Sequence, residues 1–236
     1  MSDSLAQLHV DMRACRLCLT AGYGIVPGAV FSEGTERRLM LIGQAPGVTE
    51  VEAQRPFNAS SGRRLFQWLG AAGWDEADFR ARHTMTAVTK CYPGKGKNGK
   101  GDRVPSKAEQ KLCRPFLERE ISLVNPQLII LVGGLAIKLL YPKSAKLKDV
   151  VGTAVYFPPI ISTHPLNLNI AAGQTLTPAN LQSLISQSPN GKVNGRFILP
   201  LPHPSGASLW PNKPANKLLI TQAIKLLQMI RETWKL

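Results

Sequence analysis

Four cysteines carry the first chemical signal in this chain: Cys15 and Cys18 in a Cys-x-x-Cys pair, then Cys91 and Cys113 as separate single residues. In a reducing compartment four cysteines point to a metal site more than to disulfides. Four is also the number of thiolates that closes one tetrahedral site or one cluster. A zinc ribbon would carry a second close pair, so two lone cysteines completing the set suit a [4Fe–4S] cluster better than zinc. Zinc and unrelated thiols stay open on spacing alone. Two further constellations each follow a short apolar run. Gly43-Gln44-Ala45-Pro46-Gly47 follows Leu39–Ile42, and His203-Pro204-Ser205 follows Phe197–Leu201. Open α/β sheets bind ligands outside the carboxyl ends of their strands. A glycine turn there lets backbone N–H groups approach an anion, and a histidine there faces the ligand. Taken singly, the turn also reads as punctuation and the histidine as a satisfied structural one. His164-Pro165-Leu166 has a similar pattern but no clear strand before it, which favours His203. His9 and His83 show no supporting pattern.

The elements needed to position these residues are legible. Residues 1–20 read as a short helix holding the Cys-x-x-Cys. Leu39–Gly43, Thr84–Thr89, Leu128–Val132 and Phe197–Leu201 are short apolar or β-branched runs that fit buried strands. Ser61–Trp74 places Leu65, Trp68, Leu69 and Ala72 at helical spacing. Ser106-x-x-Glu109 is a capping box that starts a helix running to about Val124, where Asn125-Pro126 stops it. Gly134–Leu140 opens another helix. The last helix puts Ile220, Ala223, Ile224, Leu227, Ile230 and Trp234 on one face. Alternation of strand and helix predicts a three-layer α/β/α sandwich with a central, mainly parallel four-stranded sheet. A single domain over 1–236 is expected, with residues 158–195 as an insertion holding a short helix near Pro178–Ser186.

Composition narrows the class. The chain has 236 residues, with 29 Lys+Arg against 15 Asp+Glu and a formal charge of +14. Such a basic balance favours a polyanionic partner, nucleic acid ahead of an anionic membrane or acidic protein. Tyr92–Arg103 (YPGKGKNGKGDR) reads as a mobile basic loop, suited equally to phosphate contact or to plain solvation. The apolar run Leu128–Ile137 is broken by Gly133 and Gly134 and is too short to span a bilayer. The N-terminus shows no leader pattern. A cytoplasmic monomer is expected.

Several of these segments, in register, resemble the family 4 uracil-DNA glycosylases over about residues 10–160 and 196–235. That family typically reads Gly-Glu-Ala-Pro-Gly, an acidic pair, then Gly-Arg-Pro-Phe-Val-Gly-x-Ala-Gly. Here the stretch from Gly43 to Gly62 matches without a gap. Ala87-Val88-Thr89-Lys90-Cys91 resembles the family's Asn-Val-Val-Lys-Cys. Leu112-Cys113-Arg114-Pro115-Phe116-Leu117-Glu118-Arg119-Glu120-Ile121 resembles Ala-Cys-Arg-Pro-Phe-Leu-Glu-Arg-Glu-Ile. His203-Pro204-Ser205 matches its final His-Pro-Ser. The resemblance implies a DNA repair glycosylase that hydrolyses the N-glycosidic bond of uracil in DNA, with a [4Fe–4S] cluster on all four cysteines. It implies a base flipped out of the stack and stacked on Phe57. Backbone N–H groups around Gly43, Gln44 and Ala45 would grip a base carbonyl, and His203 would donate to the developing uracil anion. Ser205 and the adjoining Gly206-Ala207-Ser208 would touch the DNA backbone.

The departures from the family pattern carry their own expectations. Gln44 stands where the family has glutamate; an amide orients water but takes no proton from it. Glu50 is the nearest remaining carboxylate and is expected to supply the electrostatic role. Ala87 stands where the family has its base-reading asparagine, so discrimination among deaminated bases should loosen. Family 5 glycosylases, which accept a wider range of such bases, look similar there, although their aspartate after the Phe57 position is missing. Asn58 offers a substitute amide or a simple turn. Tyr92–Arg103 contains no histidine, so no covalent link to an abasic site is expected. Two other readings remain: a protein that binds damaged DNA without cleaving it, and an iron–sulfur nucleotide-binding protein outside repair.

Overall fold

The computed structural model describes residues 4–96, 99, 101–159, 164–188, 193–206 and 208–236. The chain opens with α1 (Leu5–Ala14) and the single turn α2 (Leu17–Thr20), so Cys15 lies between two helices and Cys18 inside the second. The first apolar run is β1 (Leu39–Gly43), followed by α3 (Val48–Ala53), α4 (Ser60–Ala71) and α5 (Glu76–Arg82). Then come β2 (Thr84–Ala87), α6 (Lys107–Val124), β3 (Leu128–Val132), α7 (Gly134–Ile137) and α8 (Leu147–Val150). The last third holds β4 (Ala154–Phe157), β5 (Gln174–Leu176), α9 (Pro178–Gln187), β6 (Arg196–Leu201) and α10 (Pro214–Trp234).

Among the described residues the sheet has six strands, in the order β2-β1-β3-β6-β4-β5, not four. The four expected strands form its parallel part, with Gly43 beside Ala87 and Val132 beside Leu201. The two additional strands close the other side: β4 runs antiparallel to β6, and β5 antiparallel to β4. Both are three or four residues long, and two of the three β5 residues are exposed. β5 therefore shows no continuous apolar run, and β4 (Ala154–Phe157) shows only a short one, three of its four residues buried. By contrast, the side chains of Leu39–Ile42 and Leu128–Val132 are fully buried, because helices cover both faces of the centre.

Local chemistry sets the helix ends. Ser106 caps α6: its hydroxyl accepts from Glu109 N (3.3 Å), and the Glu109 carboxylate accepts from Ser106 N (2.6 Å). Asn125 ends that helix in the left-handed region. α10 buries Ile220, Ala223, Leu227, Ile230 and Trp234 against the sheet and leaves Ile224 half-buried. α9 lies where a helix is expected inside 158–195, capped by Thr177. Among the described residues no helix is long and apolar enough to cross a membrane.

Order 2-1-3-6 places the topological switch between β1 and β3. Chain leaving β1 turns outward to β2, and chain leaving β3 turns the other way to β6. Ligands of open α/β sheets sit at the carboxyl ends beside such a switch. The turns after β1, β3 and β6 all emerge there.

Candidate active site

A cavity of about 570 Å³ opens at those carboxyl ends. The turn after β1 contributes Gly43 to Glu50, β2 contributes Ala87, and the turn after β6 contributes His203 and Ser205. Phe57 and Ser60 close a further side. Of the four histidines, His203 alone reaches this cavity. His9 stacks on Phe31 with ring centroids 4.3 Å apart, and His83 is fully buried at the start of β2.

His203 is held in one tautomer by its neighbours. Its Nδ1 accepts from Ser205 N at 3.2 Å, which leaves the proton on Nε2. Burial lowers the imidazole pKa from its ordinary value, so the ring is neutral at pH 7. Gly133, at the end of β3, has φ +87° and lies directly against the ring. A Cβ added there would stand 3.0 Å from His203 Cδ2. Absence of a side chain at 133 is what lets the imidazole lie over the strand ends.

Phe57 is placed by strain and by a clamp. It has φ +52°, a left-handed conformation that costs a non-glycine residue about 1–3 kcal/mol. Arg80 on α5 supplies the clamp, donating from Nη1 to Pro56 O (2.6 Å) and from Nη2 to Phe57 O (2.8 Å). The guanidinium is itself fixed by Glu76 (2.8 Å) and by the Phe66 ring, 4.2 Å from its centroid. Held this way, the Phe57 ring closes on Gly43, where an added Cβ would come within 2.9 Å of Cζ.

Glu50 lines the cavity, but both of its oxygens are engaged. Oε1 accepts from Asn58 N (2.9 Å) and Ala59 N (3.1 Å); Oε2 accepts from Gly47 N (3.1 Å) and Thr49 Oγ1 (3.2 Å). The carboxylate thus braces the turn after β1 against the segment that carries Phe57. Asn58 does not line the cavity. Its amide turns back and donates to Thr49 O at 3.4 Å, which is the turn role rather than the base-reading one. Gln44, Ala45, Ser205 and Ser208 do line it, whereas Ala207 lies outside the described residues.

The four cysteines gather elsewhere, around a small apolar chamber between α1, α2, the end of β2 and α6. All four line it, together with Met12, Ile25 and Phe116. All four are free thiols. Burial first, then the neighbouring sulfurs, pushes Cys18 up to about 11. Burial does the same to Cys91, against a backbone hydrogen bond from Gly28. Thiolates crowded in a dry pocket need a cation to hold them, and Lys90 N already donates to Cys113 Sγ at 3.4 Å. The donor set therefore fits a thiolate-ligated group. Among the described residues no three His, Cys, Asp or Glu side chains converge as ligands of one ion.

Sequence reasoning missed three features. Arg80 looks like an ordinary surface residue of α5. Lys90 and Glu120 form a buried pair (2.6 Å) in which Lys90 Nζ also donates to Thr86 Oγ1 (2.5 Å) and Ala87 O (3.0 Å). That pair joins the cavity wall at Ala87 to the cysteine chamber, and only long-range packing reveals it. Asp102 also lines the cavity. Its signal was present in the sequence as the single carboxylate in a stretch otherwise rich in Gly and Lys.

A family model described as the uracil DNA glycosylase superfamily matches residues 31–228. This chain belongs to the uracil DNA glycosylase superfamily. Several relatives bear the name type-4 uracil-DNA glycosylase. The protein of Pyrobaculum aerophilum is 32% identical over 155 residues, 63% of this chain and 72% of that protein. That of Sulfurisphaera tokodaii is 28% identical, covering 60% of each chain. That of Thermotoga maritima is 30% identical, covering 46% of this chain and 52% of that protein. The chain thus spans between about half and under three quarters of the length of these uracil-DNA glycosylase relatives. Within the superfamily match fall the cavity, Phe57, His203, Cys91 and Cys113; Cys15 and Cys18 precede it.

Proposed function

We propose that this protein is a DNA repair glycosylase that hydrolyses the N-glycosidic bond of uracil in DNA and leaves an abasic site. The observation that carries this reading is the neutral His203, its Nε2–H donor without a hydrogen-bond partner among the described residues, sharing one cavity with Phe57 and the Gly43–Gly47 turn. A base turned out of the stack would slide over Phe57. As the C1′–N bond lengthens, negative charge gathers on the base and positive charge on the sugar. His203 Nε2–H donates to a base oxygen as it becomes anionic. Backbone N–H groups of the turn after β1 are the further donors the reading calls for. Such fixed donors are commonly the largest catalytic contribution, about 2.7–4 kcal/mol for one. Ser205 and Ser208 at the rim suit contact with the DNA backbone.

Cys15, Cys18, Cys91 and Cys113 would hold a [4Fe–4S] cluster, which the shared apolar chamber and the four free thiols support. Bound there, it would supply a structural tie between the N-terminal helices and both ends of the 92–103 loop. Free thiols also suit a cytoplasmic location. At the cavity wall Ala87 presents no polar group, which supports a broader choice of deaminated base than an asparagine would permit.

The test is an activity screen on single- and double-stranded oligonucleotides carrying uracil, hypoxanthine or xanthine. Alkali-labile sites at uracil are expected, with weaker release of the purines. Salt-sensitive binding with no release from any substrate would replace this reading with that of a damaged-DNA binder. Gln44→Glu is expected to raise the uracil rate, because it restores a carboxylate at the turn.

A further inference from the structure

The cavity lacks an obvious carboxylate for the sugar side of the reaction. Gln44 is an amide, and Glu50 has both oxygens filled by protein donors. Among the described residues Asp102 is the remaining carboxylate that lines the cavity. It lies on the loop between β2 and α6 and reaches Gly47. The place where a Cβ on Gly47 would stand is 2.9 Å from Asp102 Oδ2 and 2.6 Å from Glu50 Oε2. Glycine at 47 is thus what allows two carboxylates to meet at one wall of the cavity.

The two Asp102 oxygens differ. Oδ1 accepts from Tyr92 Oη (3.0 Å) and Lys95 Nζ (3.4 Å). Oδ2 has no hydrogen-bond partner among the described residues. The backbone around it is pinned as well. Lys95 and Asp102 form an antiparallel bridge, and Arg103 N donates to Gly94 O at 3.0 Å. Arg103 then grips Glu109 at the start of α6 with two bonds of 2.5 and 2.7 Å. That pair holds the Glu109 carboxyl near about 2, well below the usual range. A side chain fastened at one oxygen, on a backbone fastened at both sides, keeps its other oxygen aimed.

We propose that Asp102 is a catalytic residue of this protein and replaces the carboxylate absent at Gln44. The proposal rests on the glycosylase reading above. In the step it describes, a water oxygen forms a bond to C1′ as the C1′–N bond breaks, and the bonding pair leaves with the base. Asp102 Oδ2 takes a proton from that water and later releases it to solvent. The base departs as an anion, hydrogen-bonded to His203, and picks up its proton from solvent. Before the bond is complete, the Asp102 charge also opposes the cation building on the sugar.

The experiment compares the wild-type protein with Asp102→Asn, His203→Ala and the double variant Asp102→Asn/Gln44→Glu. Single-turnover uracil release and affinity for DNA containing a stable abasic-site analogue are both measured. Asp102→Asn is expected to slow release about 100-fold or more, in the range of general-base catalysis, at unchanged affinity. The double variant is expected to recover at least tenfold. That rescue is the readout that a purely structural role for Asp102 would not move. If Asp102→Asn keeps its rate within threefold while His203→Ala loses it, Asp102 is not catalytic and the glycosylase reading stands. If the wild-type protein releases no base, both are overturned.

Discussion

Two His-Pro turns in this molecule share one local geometry and differ in everything else. In both, the ring Nδ1 accepts from the backbone N–H two residues on, at 3.2 Å: Ser205 N for His203, Leu166 N for His164. His203 leaves the carboxyl end of β6, a strand parallel to β3, and so emerges beside the switch point. His164 follows β4, which is antiparallel to β6, and so belongs to the other end of the sheet. There its Nε2 lies 3.0 Å from Glu118 O on α6, so both ring nitrogens are occupied by backbone. The same tripeptide pattern is therefore a candidate catalytic group at one rim and a fastener at the other. Strand direction, which the local residues do not encode, makes the difference.

That contrast can be broken most directly by removing each ring. His203→Ala is expected to slow uracil release about 100- to 1000-fold, the cost of one transition-state donor, while His164→Ala stays within about twofold. Equal losses in the two variants would end the distinction. The next largest effect should come from Gly133→Ala, which touches no substrate. Its methyl would meet His203 Cδ2 at 3.0 Å, on a backbone with positive φ, and push the ring from its place. A loss of about 10- to 100-fold is expected, with DNA affinity retained in a filter-binding or fluorescence assay.

The pH dependence sharpens the comparison further. Burial lowers the His203 pKa in the folded protein, so the neutral ring persists as pH falls through 6.5. The histidine contribution to the acid limb of release should therefore lie below pH 6.5. Stability follows the same sign. His83, fully buried, is pushed down to about 4 by desolvation, with Arg82 adding to the effect. Above 6.5 it is neutral folded and unfolded. Below 6.5 the unfolded chain takes up the proton first, and stability falls until the folded pKa is passed. The loss between pH 6.5 and 4 is about 3 kcal/mol, measurable as a falling urea midpoint. A midpoint that does not move over that range would contradict the burial of His83. The smallest effect expected is on the stability of His164→Ala, about 1 kcal/mol for its backbone bonds, read as a slightly lower melting temperature.

Much of the scaffold was legible because its signals are local. The Ser106–Glu109 capping box and the Asn125-Pro126 stop mark α6 to the residue. The uninterrupted apolar runs of β1 and β3 announce strands covered on both faces. β5 escaped because three residues at a sheet edge carry no periodicity to detect, whereas β4 is an interior strand whose short apolar run, Ala154–Phe157, was not read as one. The site was legible as far as its motifs reach: Gly43–Ala45, Phe57, His203 and Ser205 come together. Glu50 lines the cavity with both oxygens bonded within the protein, and the Asn58 amide bonds back to Thr49 O. The bonds that span eight or nine residues follow from a turn whose shape depends on the left-handed Phe57. Asp102 stood out in the sequence only as a lone carboxylate among Gly and Lys; its approach to Gly47 requires the loop to fold back across the sheet ends, which no local pattern encodes.

The reversed direction of β4 has a practical consequence. Chain leaves the sheet at Phe157 and rejoins it at Gln174 on the rim away from the cavity. Length added between those two points is insulated from turnover, whereas length added between Cys91 and Cys113 is not. A fluorophore, an affinity handle or a fused partner grafted into the first connection should ride on a working enzyme. The same cargo in the second would separate Asp102 from its target.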